Sequence, residues 1–164
     1  MKCTQTGRCL IERVCSSPEE TEALGENLGR SLKPGSVIAL RGGLGAGKTC
    51  LVKGIARGLG ISECITSPTY TIINEYLGAV IRDIKDAVIQ DRKVPLYHID
   101  AYRLNGDQDF ENTGGGELTG GNGITVIEWS ERIPRSIPPG AISVEIEITG
   151  PLERIFRIEG DITL

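Results

Sequence analysis

The sequence lacks several features that mark common classes of protein site. It has one histidine, at position 98, so a metal site built from several histidines is excluded. Its five cysteines, at positions 3, 9, 15, 50 and 64, form no Cys-x-x-Cys pair and leave an odd one in any pairing scheme. This pattern favours reduced thiols and a cytoplasmic protein over a disulfide-stabilised one.

Positive charge and long apolar segments are also scarce. A net charge of −4 argues against a DNA- or RNA-binding protein, because affinity for phosphate backbones needs a clustered positive face. No stretch approaches the roughly 18 apolar residues of a membrane span, and Met1–Thr6 lacks the apolar core of a secretory signal. With 164 residues, of which 39% are hydrophobic, the chain is expected to form one domain over 1–164.

A glycine-rich loop follows the apolar run Val37–Leu40, which predicts a strand. Residues Gly42–Thr49 match the pattern Gly-x-x-x-x-Gly-Lys-Thr. Glycines permit a tight backbone curl that turns successive N–H groups inward, and the next helix directs its positive end to the same point. Lys48 can then reach the outer phosphates of a nucleotide, and the Thr49 hydroxyl can hold a bridging magnesium ion. The motif therefore predicts a nucleoside triphosphate site.

Local patterns divide the rest of the chain into strands and helices. Ser17 is expected to cap a helix, with Pro18 in its first position and Glu20 as the capping-box acid. A second helix is predicted from about Gly47 to Leu59. Strands are predicted over 10–15, 69–76, 94–99, 124–128, 142–148 and 154–159. The order predicts an α/β protein: a three-layer core of the P-loop NTPase type, with a mixed, partly antiparallel sheet flanked by helices.

Two segments interrupt this order. Residues 78–93 carry apolar residues at helical spacing among many charges, which is compatible with a peripheral helix or with a long hairpin arm. Residues 105–123 contain seven glycines, too many for a stable helix interior. We expect this second segment to be a mobile loop.

Three further groups could complete a nucleotide-hydrolysing site. Glu128 ends a predicted strand, where α/β sheets gather ligands, and could hold magnesium; a salt-bridge role fits equally well. His98 and Asp100 share one strand face and could orient or deprotonate a water molecule, although a structural histidine and a capping aspartate also fit. The hydroxyl-rich segment Thr66–Tyr70 could sense the γ-phosphate, or simply lead into a strand.

Four motifs together point to one family. They are Gly42–Thr49, Ser67–Thr71, His98–Leu104 and Val126–Trp129. In these motifs and in their order, from about Ser17 to Arg132, the chain resembles the bacterial TsaE (YjeE) family. The resemblance implies a small cytoplasmic ATPase that serves in making N6-threonylcarbamoyladenosine at position 37 of tRNAs that read codons starting with A.

The resemblance also implies cofactors, partners and residue roles. Proteins of this family bind ATP and Mg²⁺, hydrolyse ATP slowly, and act on the TsaD–TsaB complex without transferring the threonylcarbamoyl group themselves. By resemblance Lys48 contacts phosphates, Thr49 and Glu128 hold magnesium, and Asp100 supports hydrolysis, which makes Lys48, Asp100 and Glu128 the catalytic candidates. Any tRNA contact is expected to be indirect, through the partners.

The remaining candidates surround this centre. The residues predicted to contact the nucleotide are Gly43, Leu44, Gly45, Ala46, Gly47, Lys48, Thr49, Cys50, Pro18 and Thr69. A switch and partner-contact group comprises Ser67, Thr69, His98 and Trp129. By resemblance, the segment Ser17–Glu20 lies near the adenine.

The chain departs from the family pattern at three places. Gly43 stands where an acidic residue or asparagine is usual, and the glycine-rich stretch over 112–123 replaces an acidic-apolar segment, so no helix is expected there. The charged insert at 78–93 is longer than expected. From the residues alone, two other functions stay open: a small-molecule P-loop kinase, disfavoured because the long flexible segment has few basic residues, and a scaffold whose nucleotide state controls assembly.

Overall fold

The computed structural model describes residues 2–3, 9–85, 88–162 and 164. The strands are β1 (Lys2–Cys3), β2 (Cys9–Cys15), β3 (Val37–Arg41), β4 (Ile73–Lys85), β5 (Val88–Asp100), β6 (Ile124–Glu128), β7 (Ile142–Ile148) and β8 (Arg154–Gly160). The helices are α1 (Pro18–Ser31), α2 (Lys48–Gly58), α3 (Asp107–Asn112) and α4 (Gly115–Leu118), with a 3₁₀ turn at Ser130–Arg132. Most of the segment 1–6, considered above for a secretory signal, lies outside the described residues.

The strands form one mixed sheet in the order β1-β2-β8-β7-β3-β6-β5-β4. The central strands β7, β3, β6 and β5 run parallel, whereas β2, β8 and β4 add antiparallel pairs at the two sides. Parallel strands carry their carboxyl ends to one edge of the sheet. That edge therefore collects the residues that follow β3 and those that end β5 and β6.

Helices cover both faces of the sheet. On one face, buried leucines and isoleucines of α1 and α2 pack against inward residues of β3, β6 and β7. On the other face, Phe110 of α3 packs with Ile99, Ile127 and Ile133. The prediction of an α/β fold with a mixed sheet flanked by helices is confirmed. Within the described ranges, no helix is long and apolar enough to cross a membrane.

Helix α1 begins as its sequence predicts and packs unusually close to α2. The Glu20 backbone N–H donates to Ser17 Oγ (3.2 Å), and the Glu20 carboxylate accepts from the Ser16 N–H (2.7 Å). The two helices meet at glycines, since a Cβ added at Gly54 would lie 2.1 Å from the Glu22 carbonyl oxygen. Only a residue without a side chain permits this approach, so α2 is held directly against α1.

The insert at 78–93 is a hairpin arm, because β4 and β5 pair antiparallel across it, out to Lys85 with Val88. Residues 86–87 and the side chains of 79–93 lie outside the described set. The prediction of a strand over 69–76 is wrong in its first half, since β4 begins only at Ile73. Ile72 has a φ of +68°, a left-handed conformation outside the β region.

The expectation of a loop without helices at 105–123 is wrong, since α3 and α4 both lie in this segment. Its glycines stand mainly at helix ends, where Gly106, Gly114 and Gly120 all have positive φ values. Phe110 is fully buried, and Asp107 accepts a hydrogen bond from the Ser136 N–H at 2.7 Å. Tertiary contacts of this kind override low helix propensity.

Candidate nucleotide site

The loop Gly42–Thr49 joins β3 to α2 at the carboxyl edge of the sheet. Gly47 is the N-cap of α2 and adopts a φ of +101°. Because glycine has no side chain, it does not cap the first N–H groups of the helix. A left-handed residue here aims the first N–H groups of the helix into the loop. The backbone thus forms a concave, positively polarised cradle at the N-terminus of an 11-residue helix, suited to an anion such as a phosphate.

Lys48 bends over this cradle. Its Nζ donates to the carbonyl oxygens of Gly42 (2.7 Å) and Gly43 (3.0 Å) and lies 3.6 Å from the ring centroid of Trp129. Burial lowers the pKa of the Lys48 ammonium, while the charges of Glu128, Glu131 and Asp100 oppose that shift. A buried ammonium with acceptors on one side and an aromatic face on the other is poised to meet phosphate oxygens.

Glu128 ends β6 directly beside Thr49. The Thr49 hydroxyl donates to Glu128 Oε1 (2.8 Å), and His98 Nε2 lies 2.8 Å from the same oxygen. Hydroxyl and carboxylate oxygens are hard ligands that suit Mg²⁺, which usually takes one or two protein ligands together with substrate phosphates. The donor atoms of this pair therefore fit a magnesium ion that accompanies a nucleotide. In the described part of the chain no group of three or more histidine, cysteine or acidic side chains could hold a metal ion.

Asp100 ends β5 next to Glu128 and has different partners. Its Oδ2 accepts from Ser67 Oγ (3.1 Å) and Thr69 Oγ1 (2.9 Å), and its Oδ1 accepts from the Tyr102 backbone N–H (2.9 Å). Asp100 thus caps the next segment, which is one of the two roles that the sequence suggested for it. It also forms hydrogen bonds with the hydroxyl-rich loop. His98 shares its strand face, but the side-chain contact of His98 is with Glu128.

These groups line one open pocket of about 550 Å³. Among its lining residues are the loop positions Leu44, Gly45, Ala46, Gly47, Lys48, Thr49 and Cys50, the hydroxyls of Ser67 and Thr69, and the strand-end residues Asp100, Glu128 and Trp129. Gly43 does not line the pocket; its carbonyl holds Lys48. His98 lies behind Glu128 and is fully buried. Most of the predicted site residues therefore meet in one place, although they come from four separate segments.

Aromatic side chains frame the mouth of this pocket. Trp129 has a φ of +59° and stacks obliquely on Tyr102, with ring centroids 4.9 Å apart. Tyr70 is 84% exposed, and the Arg103 guanidinium lies 4.4 Å from the centroid of its ring. The left-handed turn at Trp129 directs the indole toward Lys48. Sequence reasoning did not anticipate the strained backbone at Trp129 or Ile72, because neither residue type favours it.

A smaller pocket of about 190 Å³ adjoins the glycine loop. Its lining includes Ser17, Pro18, Cys50, Leu152 and Arg154. Arg154 donates to the Gly45 carbonyl oxygen (3.3 Å), and burial raises the pKa of the Cys50 thiol. The segment at Ser17–Pro18 is therefore next to the phosphate loop, since Gly45 and Gly47 line the same pocket. Leu152 and Arg154 were not predicted here, since their segment signalled only a turn and a strand.

Comparisons with known proteins agree on one family. Residues 15–155 match the family described as "Threonylcarbamoyl adenosine biosynthesis protein TsaE". A tRNA threonylcarbamoyladenosine biosynthesis protein TsaE from Treponema pallidum (strain Nichols) is 41% identical over 82% of this chain and 90% of its own length. A protein of the same name from Bacillus subtilis (strain 168) is 38% identical over 84% of this chain and 78% of its own length.

A solved structure gives the same result for the fold. The structure described as "Crystal structure of Bacillus subtilus YdiB" superposes with a TM-score of 0.72 at 33% sequence identity. The match covers 93% of this chain and 86% of that chain.

Proposed function

Since the chain belongs to the TsaE family of threonylcarbamoyl adenosine biosynthesis proteins, we propose that it binds ATP with Mg²⁺ and hydrolyses the ATP slowly. The observation that carries this proposal is the hydrogen bond of 2.8 Å between Thr49 and Glu128, next to the phosphate cradle and to Asp100. A phosphate loop alone supports binding. A hydroxyl–carboxylate pair with a second carboxylate beside it supports hydrolysis as well.

The proposed mechanism assigns one task to each group. The N-terminal N–H groups of α2 and the Lys48 ammonium bind the phosphates and stabilise the charge that develops on them. Thr49 and Glu128 would hold a magnesium ion, which would supply positive charge against the phosphates. Asp100 orients the attacking water molecule and accepts its proton. Ser67 and Thr69, bonded to Asp100, couple the position of their loop to this carboxylate.

The cellular role that we propose follows from the family. The chain acts in the cytoplasm as a single-domain helper in forming N6-threonylcarbamoyladenosine at position 37 of tRNA, and its ATP cycle resets a TsaD–TsaB complex. The exposed aromatic residues around the pocket mouth, Tyr70 and Tyr102 with half-buried Trp129, offer a contact surface next to the nucleotide. The net charge of the whole chain is −4, which favours tRNA contact through the partners and not through this chain.

The decisive experiment measures ATP turnover of the chain alone and with purified TsaD–TsaB. We expect slow turnover alone and a stimulation well above twofold with the complex. Stimulation below twofold, with the nucleotide still controlling complex formation, would support a scaffold instead. Transfer of the γ-phosphate to a small molecule would support a kinase. Tight, salt-sensitive binding of tRNA in a filter-binding assay would overturn the indirect tRNA contact.

A further inference from the structure

The single histidine occupies an unusual position for a polar side chain. His98 is fully buried in β5, and in the described part of the chain its Nδ1 is the one buried side-chain nitrogen or oxygen without a hydrogen-bond partner. A buried polar atom without a partner costs free energy. An apolar side chain at this position would avoid that cost. The reason for an imidazole must therefore lie in its other nitrogen, Nε2.

That other nitrogen faces a carboxylate. His98 Nε2 lies 2.8 Å from Glu128 Oε1. An ionised carboxylate can only accept hydrogen bonds, so Nε2 is the donor and Glu128 Oε1 the acceptor. This contact with Glu128 explains why an imidazole occupies a buried position.

Two donors converge on one oxygen of Glu128. Thr49 Oγ1 donates from α2, and His98 Nε2 donates from β5, both to Oε1. No hydrogen bond to Oε2 is found among the residues that the structure describes. The Thr49 hydroxyl rotates about its C–O bond, whereas the direction of the His98 N–H is set by a ring held in the buried sheet. His98 is therefore the donor that determines how the carboxylate is turned.

We propose that His98 is a positioning residue that orients the Glu128 carboxylate for the magnesium ion of the nucleotide. This inference rests on the proposed function, because it assigns the ion to Thr49 and Glu128. Hydrogen-bond partners behind a metal ligand commonly change metal affinity by about 10- to 100-fold when they are removed. His98 reaches neither phosphate nor water itself; it acts through Glu128.

The test separates metal placement from general damage to the fold. ATP affinity is measured by calorimetry in EDTA and over a series of Mg²⁺ concentrations, for the unchanged chain, His98→Leu, His98→Gln and His98→Asn. Glutamine places its amide nitrogen as many bonds from Cβ as imidazole Nε2, whereas the amide of asparagine is one bond shorter. Gln can reach Glu128 and Asn cannot, so these two form a matched polar pair.

We expect His98→Leu and His98→Asn to raise, about tenfold, the Mg²⁺ concentration at which the effect of Mg²⁺ on ATP affinity is half-maximal. ATP affinity in EDTA should be unchanged. His98→Gln should restore the Mg²⁺ dependence to within about threefold of the original. An unshifted Mg²⁺ dependence in His98→Leu, or equal loss of ATP affinity with and without Mg²⁺, would overturn the assignment. If His98→Leu does not fold, the Asn and Gln variants decide the question by the same criterion.

A double variant tests that His98 acts through Glu128. In a Glu128→Ala background, His98→Leu should cause no further change in Mg²⁺ dependence, because the group it orients is gone. An additional shift in that background would contradict the proposal. The unchanged chain tests the proposed function itself, which fails if Mg²⁺ has no effect on its ATP affinity. If Mg²⁺ has its effect there and the Mg²⁺ dependence is the same in His98→Leu, only the role of His98 is refuted.

Discussion

Strands β5 and β6 end side by side, with Asp100 paired to Glu128 in register, yet the surroundings of these two strand ends differ. Glu128 is bonded to residues in regular elements, Thr49 at the start of α2 and His98 in β5. Asp100 is bonded to the hydroxyls of Ser67 and Thr69, which lie in a loop. The two carboxylates therefore differ in what holds them: one is hydrogen-bonded to the first turn of a helix, and the other to the side chains of a loop.

Packing next to each strand end adds to the contrast. On the Asp100 side, Ile72 is held at a φ of +68° by its N–H to the Pro68 carbonyl (2.7 Å) and its own carbonyl to the Asp100 N–H (2.9 Å). A β-branched residue in this conformation is strained. On the Glu128 side, Trp129 is also left-handed, with a φ of +59°, but α2, which supplies Thr49, is held against α1 by close glycine contacts. We therefore expect nucleotide-dependent change on the Asp100 side and a fixed frame on the Glu128 side.

Removing each carboxylate in turn gives the largest expected effect. Asp100→Ala and Glu128→Ala should each slow partner-stimulated hydrolysis about 100-fold, but only Glu128→Ala should change the Mg²⁺ concentration needed for ATP binding. Rates and calorimetry on both variants measure this, with exposed Glu159→Ala as the control. Native rates in both variants, or the same Mg²⁺ shift in both, would contradict the hypothesis that the two carboxylates have different roles.

We expect Lys48 to contribute to phosphate binding whether or not Asp100 and Glu128 are intact. Lys48→Ala should weaken ATP binding about 30-fold, since a charge-assisted contact of roughly 2 kcal/mol is lost. Calorimetry in EDTA checks this without any contribution from the metal. Lys53→Ala, an exposed position on the same helix, should bind ATP as tightly as the unchanged chain. Unaltered affinity in Lys48→Ala would refute the phosphate-loop assignment.

The loop hydroxyls allow a finer test of the Asp100 side. Thr69→Val keeps the side-chain shape but removes the hydrogen bond to Asp100 and the contact with Ser67 Oγ, so hydrolysis should fall about three- to tenfold with ATP affinity in EDTA unchanged. The matched control is Thr71→Val, since Thr71 bonds Asn74 instead (2.8 Å). Equal effects of the two variants on hydrolysis would show that the loop, and not its bond to Asp100, matters.

Alkylation of two cysteines tests the Glu128 side and the Asp100 side separately, and here we expect the smallest effect. Cys50 follows Thr49 in α2, and burial raises its thiol pKa, while Cys64 is exposed shortly before the hydroxyl-rich loop. A raised pKa leaves less reactive thiolate at neutral pH, so iodoacetamide should modify Cys50 at least about threefold more slowly than Cys64. Peptide mapping by mass spectrometry measures both rates. ATP should slow the reaction at Cys50 further, and equal protection of the two thiols would contradict the placement of the nucleotide beside Cys50.

Several elements were predictable because their causes are local. The Ser17 cap, the glycine loop and the strands over 124–128 and 142–148 depend on backbone preferences and on side-chain periodicity within a few residues. The predictions for 69–76 and 105–123 were wrong for a common reason. Ile72 adopts its conformation through bonds to Pro68 and Asp100, and α3 is stabilised by burial of Phe110; neither contact is visible in a local pattern.

By itself, the sequence determined that a phosphate-binding loop is present and that carboxylates end two of the neighbouring strands. Only the tertiary structure decided which group each carboxylate binds: Thr49 and His98 lie 79 and 30 residues from Glu128 in the chain. Strand order is set by burial of the whole sheet, and that order brings distant side chains within hydrogen-bond range. The glycine loop therefore predicts a nucleotide, whereas the different hydrogen-bond partners of Asp100 and Glu128 follow from the fold.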